Sequence, residues 1–439
     1  MRDIAITLIV LCSVYFTFKR PYIGVLAWVW ISVMNPHRLS YGFAYSAPFA
    51  AIIGGATLIG LVVTRDPKDL PKTPVVMTLL AFTVWMAFGT LFAINPDGAY
   101  AMLSRVMKIM LMTFVTIMLI RDKKQIHLLI WVLLGSMGYY GIKGGVFSIL
   151  SGGSFRVWGP EGTFIEGNNE LALALIAVIP LFYYCYLTAT DKRLRFAWAS
   201  ATLLCGLSAL CSYSRGALLG IAAMVFFLWL KSPKKLPLAL ALAVIIPAAM
   251  AFMPAQWGER MNTVKEYKED GSAMGRINAW YMAANLAASR PPIGGSFDIY
   301  DAATFARFAP EPKDIHAAHS LYFQALGEHG YMGLALYLTL GALVWRMGTR
   351  INKRVKDRPD LKWAGTLATM LQVGMIGFGT GGAFLSLLYF DVPYYMLALM
   401  VATERLVDKE LKQEQLRQKH QHETKEHRRN PMVATTLKV

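Results

Sequence analysis

The run IAITLIVLCSVYFTF, residues 4–18, decides the class of fold, and Lys19, Arg20 and Pro21 join it to a second apolar run. A membrane-spanning helix needs about 20 apolar residues to cross a hydrocarbon core of about 30 Å. No small-residue cleavage site follows the first run, so we expect a retained helix rather than a signal peptide. Because the run is short, a tilted or partial crossing stays open.

Similar apolar runs account for most of the chain. Of its 439 residues, 55% are hydrophobic and only 16% are charged, and the mean hydropathy is +0.42. These values lie outside the range of soluble globular domains. We therefore predict an all-α fold, a polytopic membrane helix bundle with about 12 transmembrane helices and one long outer loop that contains helix.

The sequence predicts four segments: the first part of the bundle at residues 1–253, an outer loop with an amphipathic helix at 254–318, the last part of the bundle at 319–405, and a charged cytoplasmic tail at 406–439. Apolar residues at helical spacing place the loop helix at Ala273–Ser289. Pro291-Pro292 ends it, and Gly294-Gly295-Ser296 follows as a flexible turn. Such a helix would lie on the outer surface of the bundle and cover a cavity.

The distribution of basic residues along the chain indicates its membrane topology. A net charge of +17 could indicate nucleic-acid binding, but Lys and Arg cluster in alternate connections between the apolar runs. By the positive-inside rule those connections face the cytoplasm, and the intervening ones face outward, which brings Arg215, Arg276 and His319 to one side. No nucleic-acid partner is expected. Twelve crossings would leave both termini inside and thirteen would place the N-terminus outside, and the sequence leaves this open.

Two arginines on the outer face are candidates for anion binding. Arg215 lies between the small residues Ser214 and Gly216, and Arg276 lies in the predicted loop helix. Each guanidinium offers a planar, permanently charged fork that suits the oxygens of phosphate or diphosphate. Interfacial anchoring and simple solvation are the alternative roles for these arginines. The functional interpretation is favoured because a polar group at membrane depth is costly to keep.

His319 is the candidate base. It precedes the apolar segment that begins at Leu321, and a neutral imidazole can accept a proton from an attacking hydroxyl. His316 could share this work, while a hydrogen-bonded interfacial histidine is the plainer alternative. The HxxH spacing is a weak zinc signal because no third ligand occurs at a recognisable spacing, so no metal is predicted.

The connection from Phe155 to Glu170 is a further candidate on the outer face. Arg156 could supply an additional contact to phosphate or sugar, and Asn168 could line the same site. The alternative for this connection is structural, with Asn168 or Asn169 capping the next helix. Both interpretations stay open.

Several short motifs from Thr163 onward resemble the O-antigen ligase and polymerase superfamily of bacterial envelope proteins. Their order and loop placement make the combination more specific than any single motif. The matching residues are Ser214-Arg215-Gly216, Arg276 with Trp280, Pro292-Ile293-Gly294-Gly295, and His319-Ser320 followed by Leu326, Glu328, Gly330 and Gly333. Ser320 stands where the family often has Asn.

The resemblance implies metal-independent, inverting glycosyl transfer at the periplasmic face of the bacterial inner membrane, without a cofactor. The donor would be an undecaprenyl-diphosphate-linked glycan, with Arg215 and Arg276 holding the diphosphate and His319 activating the acceptor hydroxyl. Membrane lipids and a lipid A-core acceptor would be the other partners. The long loop would then be periplasmic.

The resemblance does not separate the branches of the superfamily. We favour an O-antigen ligase, with a protein O-glycosylation ligase or an O-antigen polymerase as alternatives, since Met1-Arg2-Asp3 and Met34–Arg38 resemble ligases associated with bacterial protein-sorting systems. A transporter or flippase for a lipid-linked anion, with His319 relaying protons, is the alternative of another class. The apolar runs carry few ionisable residues, which favours chemistry at the surface over translocation.

Overall fold

The fold is known from a computed structural model that describes residues 1–262 and 271–429. Those residues form helices and connecting turns, and no strand occurs among them, which confirms the all-α prediction. The helices are α1 (Arg2–Thr17), α2 (Pro21–Val29), α3 (Phe49–Val63), α4 (Pro74–Thr90), α5 (Pro96–Leu119), α6 (Lys123–Leu150), α7 (Asn168–Thr188), α8 (Lys192–Leu210), α9 (Arg215–Lys231), α10 (Lys235–Phe252), α11 (Ala255–Asn262), α12 (Gly271–Ser289), α13 (Ala302–Phe308), α14 (Leu321–Arg354), α15 (Lys362–Gly381) and α16 (Asp391–Arg429).

Several of these helices are suited to a membrane. Within the described ranges, five helical stretches are long and apolar enough to cross one, and three further apolar stretches are shorter. The five are Pro96–Leu119, Lys123–Leu150, Asn168–Thr188, Lys235–Phe252 and Pro359–Phe384, and the shorter ones are Pro21–Met34, Phe49–Val63 and Pro74–Thr90. The predicted total of about 12 crossings, and the outward orientation of the long loop, stay predictions.

Helix α7 lies at the centre of the bundle. Every residue from Leu171 to Phe182 is buried, because this helix is apolar around its whole circumference and packs against α6, α8, α9 and α15. Small residues also allow close approaches between the helices around α7. A Cβ atom on Gly220 of α9 would lie 2.9 Å from the carbonyl oxygen of Gly377 in α15, so these two backbones meet directly.

The long loop has the predicted order of elements. The chain leaves α10 at Phe252 and enters α14 at Leu321, and the predicted helix Ala273–Ser289 is confirmed as α12. Residues 263–270 lie outside the described residues. At the other end of the chain, α16 runs without a break past residue 405 to Arg429, so the charged tail begins as a continuation of the last helix.

A kink in α14 provides the anchor for the loop. Gly330 has φ 67° and ψ −170°, which no helix contains, so α14 consists of a first part that ends at His329 and a second that starts at Tyr331. The kink frees backbone carbonyls from their helical partners, and buried carbonyls need new donors.

The turn after α12 supplies those donors. The amide of Gly295 donates to the Gly327 carbonyl at 2.9 Å, and the amide of Ser296 donates to the Glu328 carbonyl at 2.7 Å. In return, the amide of Tyr331 donates to the carbonyl of Pro291 at 3.0 Å. We call this contact between residues 291–296 and 327–331 the loop–kink contact. It fixes the C-terminal end of α12 to α14.

Gly330 is required at this contact, because its backbone region is open almost only to glycine. A Cβ atom there would also lie 2.5 Å from the Pro292 carbonyl oxygen. We expect Gly330→Ala to lower the free energy of unfolding by about 1–3 kcal/mol or more, measured by thermal unfolding in detergent. Gly341→Ala is the matched control, since a Cβ there meets nothing and α14 is regular. Equal stability of the two variants would contradict the assignment.

Candidate active site

The N-termini of two helices lie at the candidate site. Helix α9 begins at Arg215, and its cap is Ser214, whose Oγ accepts a hydrogen bond from the Ala217 amide at 3.2 Å. Gly216 permits a close approach here, because a Cβ on it would lie 3.0 Å from the Cβ of Phe384. Helix α7 begins nearby at Asn168. The positive ends of both helix dipoles therefore point towards the same region.

The two predicted arginines line one cavity. Arg215 from α9 and Arg276 from α12 lie far apart in sequence and meet around a space of about 20 Å³. The remaining lining residues are Asn169, Tyr213, Ser214, Gly216, Phe384 and Leu385. A space of this size holds about one water molecule, so a larger anion must displace a side chain or move α12 to enter.

The charges around the cavity favour an anion. Two guanidinium groups and two helix N-termini contribute positive potential, and the carboxyl group of Glu170 in α7 lies close enough to interact with Arg276. Arg276 also acts electrostatically on His319. The arginine pair and the histidine therefore belong to one continuous site.

His319 is held in an unusual state. Its φ is +43°, a left-handed conformation that histidine adopts more readily than most residues but that still costs free energy. Burial lowers the pKa of His319 to about 4, with smaller contributions from the positive charges of Arg276 and His316. Its Nδ1 is buried and has no hydrogen-bond partner among the described residues. At neutral pH the imidazole is therefore uncharged and able to accept a proton.

Trp280 holds the chain around His319 in place. Its indole N–H donates to the carbonyl of Ala318 at 2.6 Å, one residue before the histidine. Its ring stacks on Phe323, with centroids 5.0 Å apart and planes 6° apart. Because Trp280 follows Arg276 by one helical turn, the same helix carries the arginine and orients the histidine.

Asn278 fastens the preceding stretch of loop to α12. Its side-chain amide donates to the carbonyls of Glu311 and Asp314 at 2.8 and 2.9 Å, and its oxygen accepts from the Glu311 amide at 2.9 Å. The side chain is buried. Three backbone groups thus depend on one amide, which closes the loop back onto α12 before His319.

His316 has a different environment from His319. Its Nδ1 lies 2.8 Å from a carboxylate oxygen of Asp314, and both side chains are about 40% exposed. The ring lies against Gly275, where a Cβ would be 2.5 Å from Nδ1. Within the described ranges, no three or more His, Cys, Asp or Glu side chains are grouped so that they could hold a metal ion.

Asn168 and Arg156, the two supporting candidates from the 155–170 connection, make different contacts. Asn168 is the first residue of α7 and its cap is Gly167, so the alternative of capping by Asn168 or Asn169 is wrong. Its side-chain amide instead donates to the Ser212 carbonyl at 2.6 Å, which steadies the turn that leads to Arg215. Arg156 is exposed, and its guanidinium lies 6.0 Å from the ring centre of Tyr213, a residue that lines the cavity.

Sequence reasoning missed the crossover between α15 and α16. Phe384 and Leu385 line the arginine cavity, although they lie more than 60 residues beyond His319. A little further on, the Tyr389 hydroxyl donates to Glu328 and lies 2.5 Å from Nε2 of His329, and all three side chains are buried. The adjacent residues Glu328 and His329, both ionisable within an apolar segment, were the local sequence signal for this contact.

Two family models match parts of the chain. Residues 200–338 match the model of the family described as O-Antigen ligase, and residues 1–190 match a family of unknown function (DUF5935). The O-antigen ligase match contains Arg215, Arg276 and His319. Among curated proteins, none matches the chain.

The apolar helices indicate a multi-pass membrane protein, and the family domain supports a glycosyltransferase of the ligase and polymerase type. The O-antigen ligase domain at residues 200–338 confirms the resemblance to that superfamily seen in the motifs. The match does not resolve the branch within the superfamily.

Asn278→Ala should loosen the loop that carries His319. The substitution leaves three backbone groups without their partner, at a cost of about 1–3 kcal/mol, or roughly a 5- to 150-fold rise in opening. We expect faster hydrogen–deuterium exchange in peptides covering residues 309–319. Asn285→Ala is the control, because Asn285 makes one exposed hydrogen bond to Phe308 in the same loop. Unchanged exchange in Asn278→Ala would contradict the role given to this amide.

Proposed function

We propose that the protein is an O-antigen ligase, which transfers a glycan from undecaprenyl diphosphate to a lipid A-core acceptor on the periplasmic side of the inner membrane. The observation that carries the proposal is that Arg215 and Arg276 line one cavity while Arg276 acts electrostatically on a neutral His319. An anion-binding pair beside an uncharged base is what such a transfer requires. The family match supplies the reaction class.

The two arginines would bind the diphosphate of the donor. Their forks can each grip two phosphate oxygens, and the N-termini of α7 and α9 add backbone donors and positive potential. Negative charge grows on the diphosphate as its bond to the sugar breaks. Donors fixed before the reaction stabilise that charge more in the transition state than in the ground state. The arginines would therefore favour departure of the leaving group.

His319 would act as the general base. The acceptor hydroxyl oxygen attacks the anomeric carbon from the face opposite the diphosphate, the bond from that carbon to the diphosphate oxygen breaks, and the hydroxyl proton passes to the imidazole. The configuration at the anomeric carbon inverts. Diphosphate leaves as a stable anion, so this scheme requires no separate acid.

His319→Ala tests the base directly. We expect transfer to fall by about 100-fold to 10,000-fold, the usual contribution of a general base, with expression and thermal unfolding close to those of the unaltered protein. Purified protein is incubated with undecaprenyl-diphosphate glycan and, separately, with lipid A-core, a protein acceptor or a second donor molecule. The acceptor that is used distinguishes a ligase from a protein O-glycosylation ligase or a polymerase.

Two further variants complete the experiment. His316→Ala is the matched control, since His316 is half-exposed and lies three residues away, and we expect it to keep most of the activity. Arg215→Lys should be severely impaired because lysine keeps the charge but loses the bidentate grip. Near-normal transfer by His319→Ala would exclude the proposed base. Movement of intact donor across vesicles without any product would indicate a flippase.

The pH dependence follows from the environment of His319. Because the pKa in the free protein is about 4, the base stays unprotonated as pH falls from 7 to 5, and activity is lost only as pH passes through that value. We expect the acidic limb of kcat/KM near pH 4 and that of kcat at higher pH, since bound diphosphate stabilises the imidazolium. Initial rates across pH 4–8 measure both. A limb of kcat/KM at the ordinary histidine value of about 6.5 would contradict the assignment.

A further inference from the structure

A second pair of arginines lies in the part of the chain that matches the family of unknown function. Arg38 belongs to a short 3-10 helix at Pro36–Leu39, and Arg105 belongs to α5. The charge topology predicts that both lie on the outer side, as it does for Arg215. Although they are far apart in sequence, the two side chains come close enough for their charges to interact.

The turn before α7 borders both guanidinium groups. The guanidinium carbon of Arg105 lies 3.8 Å from the ring centre of Phe164. A Cβ atom on Gly162 would lie 3.8 Å from the guanidinium carbon of Arg38, which itself lies 4.7 Å from the ring centre of Tyr45. Stacking on a ring uses the face of a guanidinium and leaves the N–H groups at its edge free. Both arginines therefore keep donors for a ligand.

Hydrogen bonds within this turn hold it in place. The Gly159 amide donates to the Glu166 carbonyl at 2.9 Å. The Thr163 hydroxyl donates to the Pro160 carbonyl at 2.7 Å, and the Gly162 amide donates to the carboxylate of Glu166 at 2.8 Å. This carboxylate, which would repel an anion, thus already has a backbone partner. The position of the turn beside the two arginines does not depend on a ligand.

Neither guanidinium donates a hydrogen bond or forms an ion pair within residues 1–262 and 271–429. This is unusual for Arg105, because α5 is one of the stretches long and apolar enough to cross a membrane. Arg105 lies about 13 Å of helix beyond Pro96, the first residue of α5. An arginine at that depth is costly without a partner, and a bound anion would supply one.

The charges around the pair leave an excess of positive charge. The carboxylate of Asp391, at the start of α16, acts on Arg105. It is 4% exposed, and its Oδ1 has no hydrogen-bond partner among the described residues. Burial, with a smaller contribution from Arg38, lowers the pKa of His37, which is therefore uncharged at neutral pH. One buried carboxylate thus accompanies two guanidinium groups, so a second anion would balance the charge.

We infer that Arg38 and Arg105 form a second anion site, which binds a phosphate group carried by a membrane lipid. Planar forks suit phosphate oxygens, and the depth of Arg105 favours a ligand that reaches it from the membrane. Five residues of chain lead from Phe164 to Asn169, which lines the arginine cavity, and they span at most about 17 Å. A lipid at each site would then lie side by side.

Two lipids offer this phosphate chemistry at the outer surface. One is an ordinary phospholipid, through its headgroup. The other is the lipid A part of the acceptor, and this source alone rests on the proposed function. In that case the second site would hold the acceptor beside the donor, and residues 1–190 would contribute acceptor binding to the reaction.

The experiment removes each charge while keeping the size of the side chain. The variants are Arg38→Gln and Arg105→Gln. Arg307→Gln is the matched control, since Arg307 is an exposed arginine of the long loop that also lies over a ring, 5.3 Å from the centre of Phe308. Arg276→Gln reports on the first cavity. Phosphorylated lipid A, lipid A without phosphates and phosphatidylglycerol are each titrated into the full chain in neutral detergent, and native mass spectrometry measures the bound lipid.

We expect Kd for at least one of the two phosphate-bearing lipids to rise about tenfold in each variant, the usual loss for a charge-assisted hydrogen bond. Arg307→Gln and Arg276→Gln should bind it like the unaltered protein. Preference for lipid A identifies the acceptor as the source, and equal binding of phosphatidylglycerol identifies a headgroup site. Thermal unfolding is measured alongside, and Arg38→Gln, outside the long helices, keeps the test decisive if Arg105→Gln is destabilised.

Three results would overturn the inference. One is an unchanged Kd for both phosphate-bearing lipids in Arg38→Gln and Arg105→Gln. The second is equal binding of lipid A with and without its phosphates. The third is a loss of binding confined to Arg276→Gln, which would place the phosphate in the first cavity.

Glycan transfer, measured with the same variants, separates this inference from the proposed function. Phosphate binding that depends on Arg38 and Arg105, without transfer to any acceptor, would leave the second site standing and overturn the proposed function. Transfer to lipid A-core, with lipid binding that is unaffected by both substitutions, would do the reverse.

Discussion

The whole site depends on the attachment of α12 to α14 at two places. At one end Trp280 and Asn278 bind the chain just before His319, and at the other the loop–kink contact joins the turn after α12 to the carbonyls freed at Gly330. A loop of this length would otherwise have large conformational freedom. Because both ends are fixed, Arg276 is held over Arg215 instead of extending into solvent.

This attachment explains how a membrane helix bundle can present a reactive surface site. The bundle contributes rigid parts, namely the starts of α7 and α9, which are held by the tightly packed core around α7. The loop contributes Arg276 and the chain that ends in His319. Burial keeps the histidine neutral, and the positive charge of Arg276 acts in the same direction. Cationic binding groups and an uncharged base can then coexist within one small volume.

The sequence predicted the charged residues of the candidate site better than the residues that pack around them. Charge alternation and the apolar runs were enough to place Arg215 and Arg276 on one face, and helical spacing located α12. The roles of Phe384, Leu385 and Tyr389 were not predictable, because they reach the site through tertiary contacts from a crossover with no motif of its own. The left-handed backbone of His319 and the bond from Asn168 to Ser212 likewise arise from packing and leave no local pattern.

The small arginine cavity has a thermodynamic consequence. A space of about 20 Å³ cannot admit a diphosphate, so the proposed donor would have to bind to a wider form of the protein. The apparent affinity is then the intrinsic affinity multiplied by the fraction of molecules in that form. Ligands with many contacts can shift this population, whereas inorganic phosphate or diphosphate makes too few contacts to do so. In the proposed function, a closed resting cavity would therefore discriminate against small free anions before any chemistry begins.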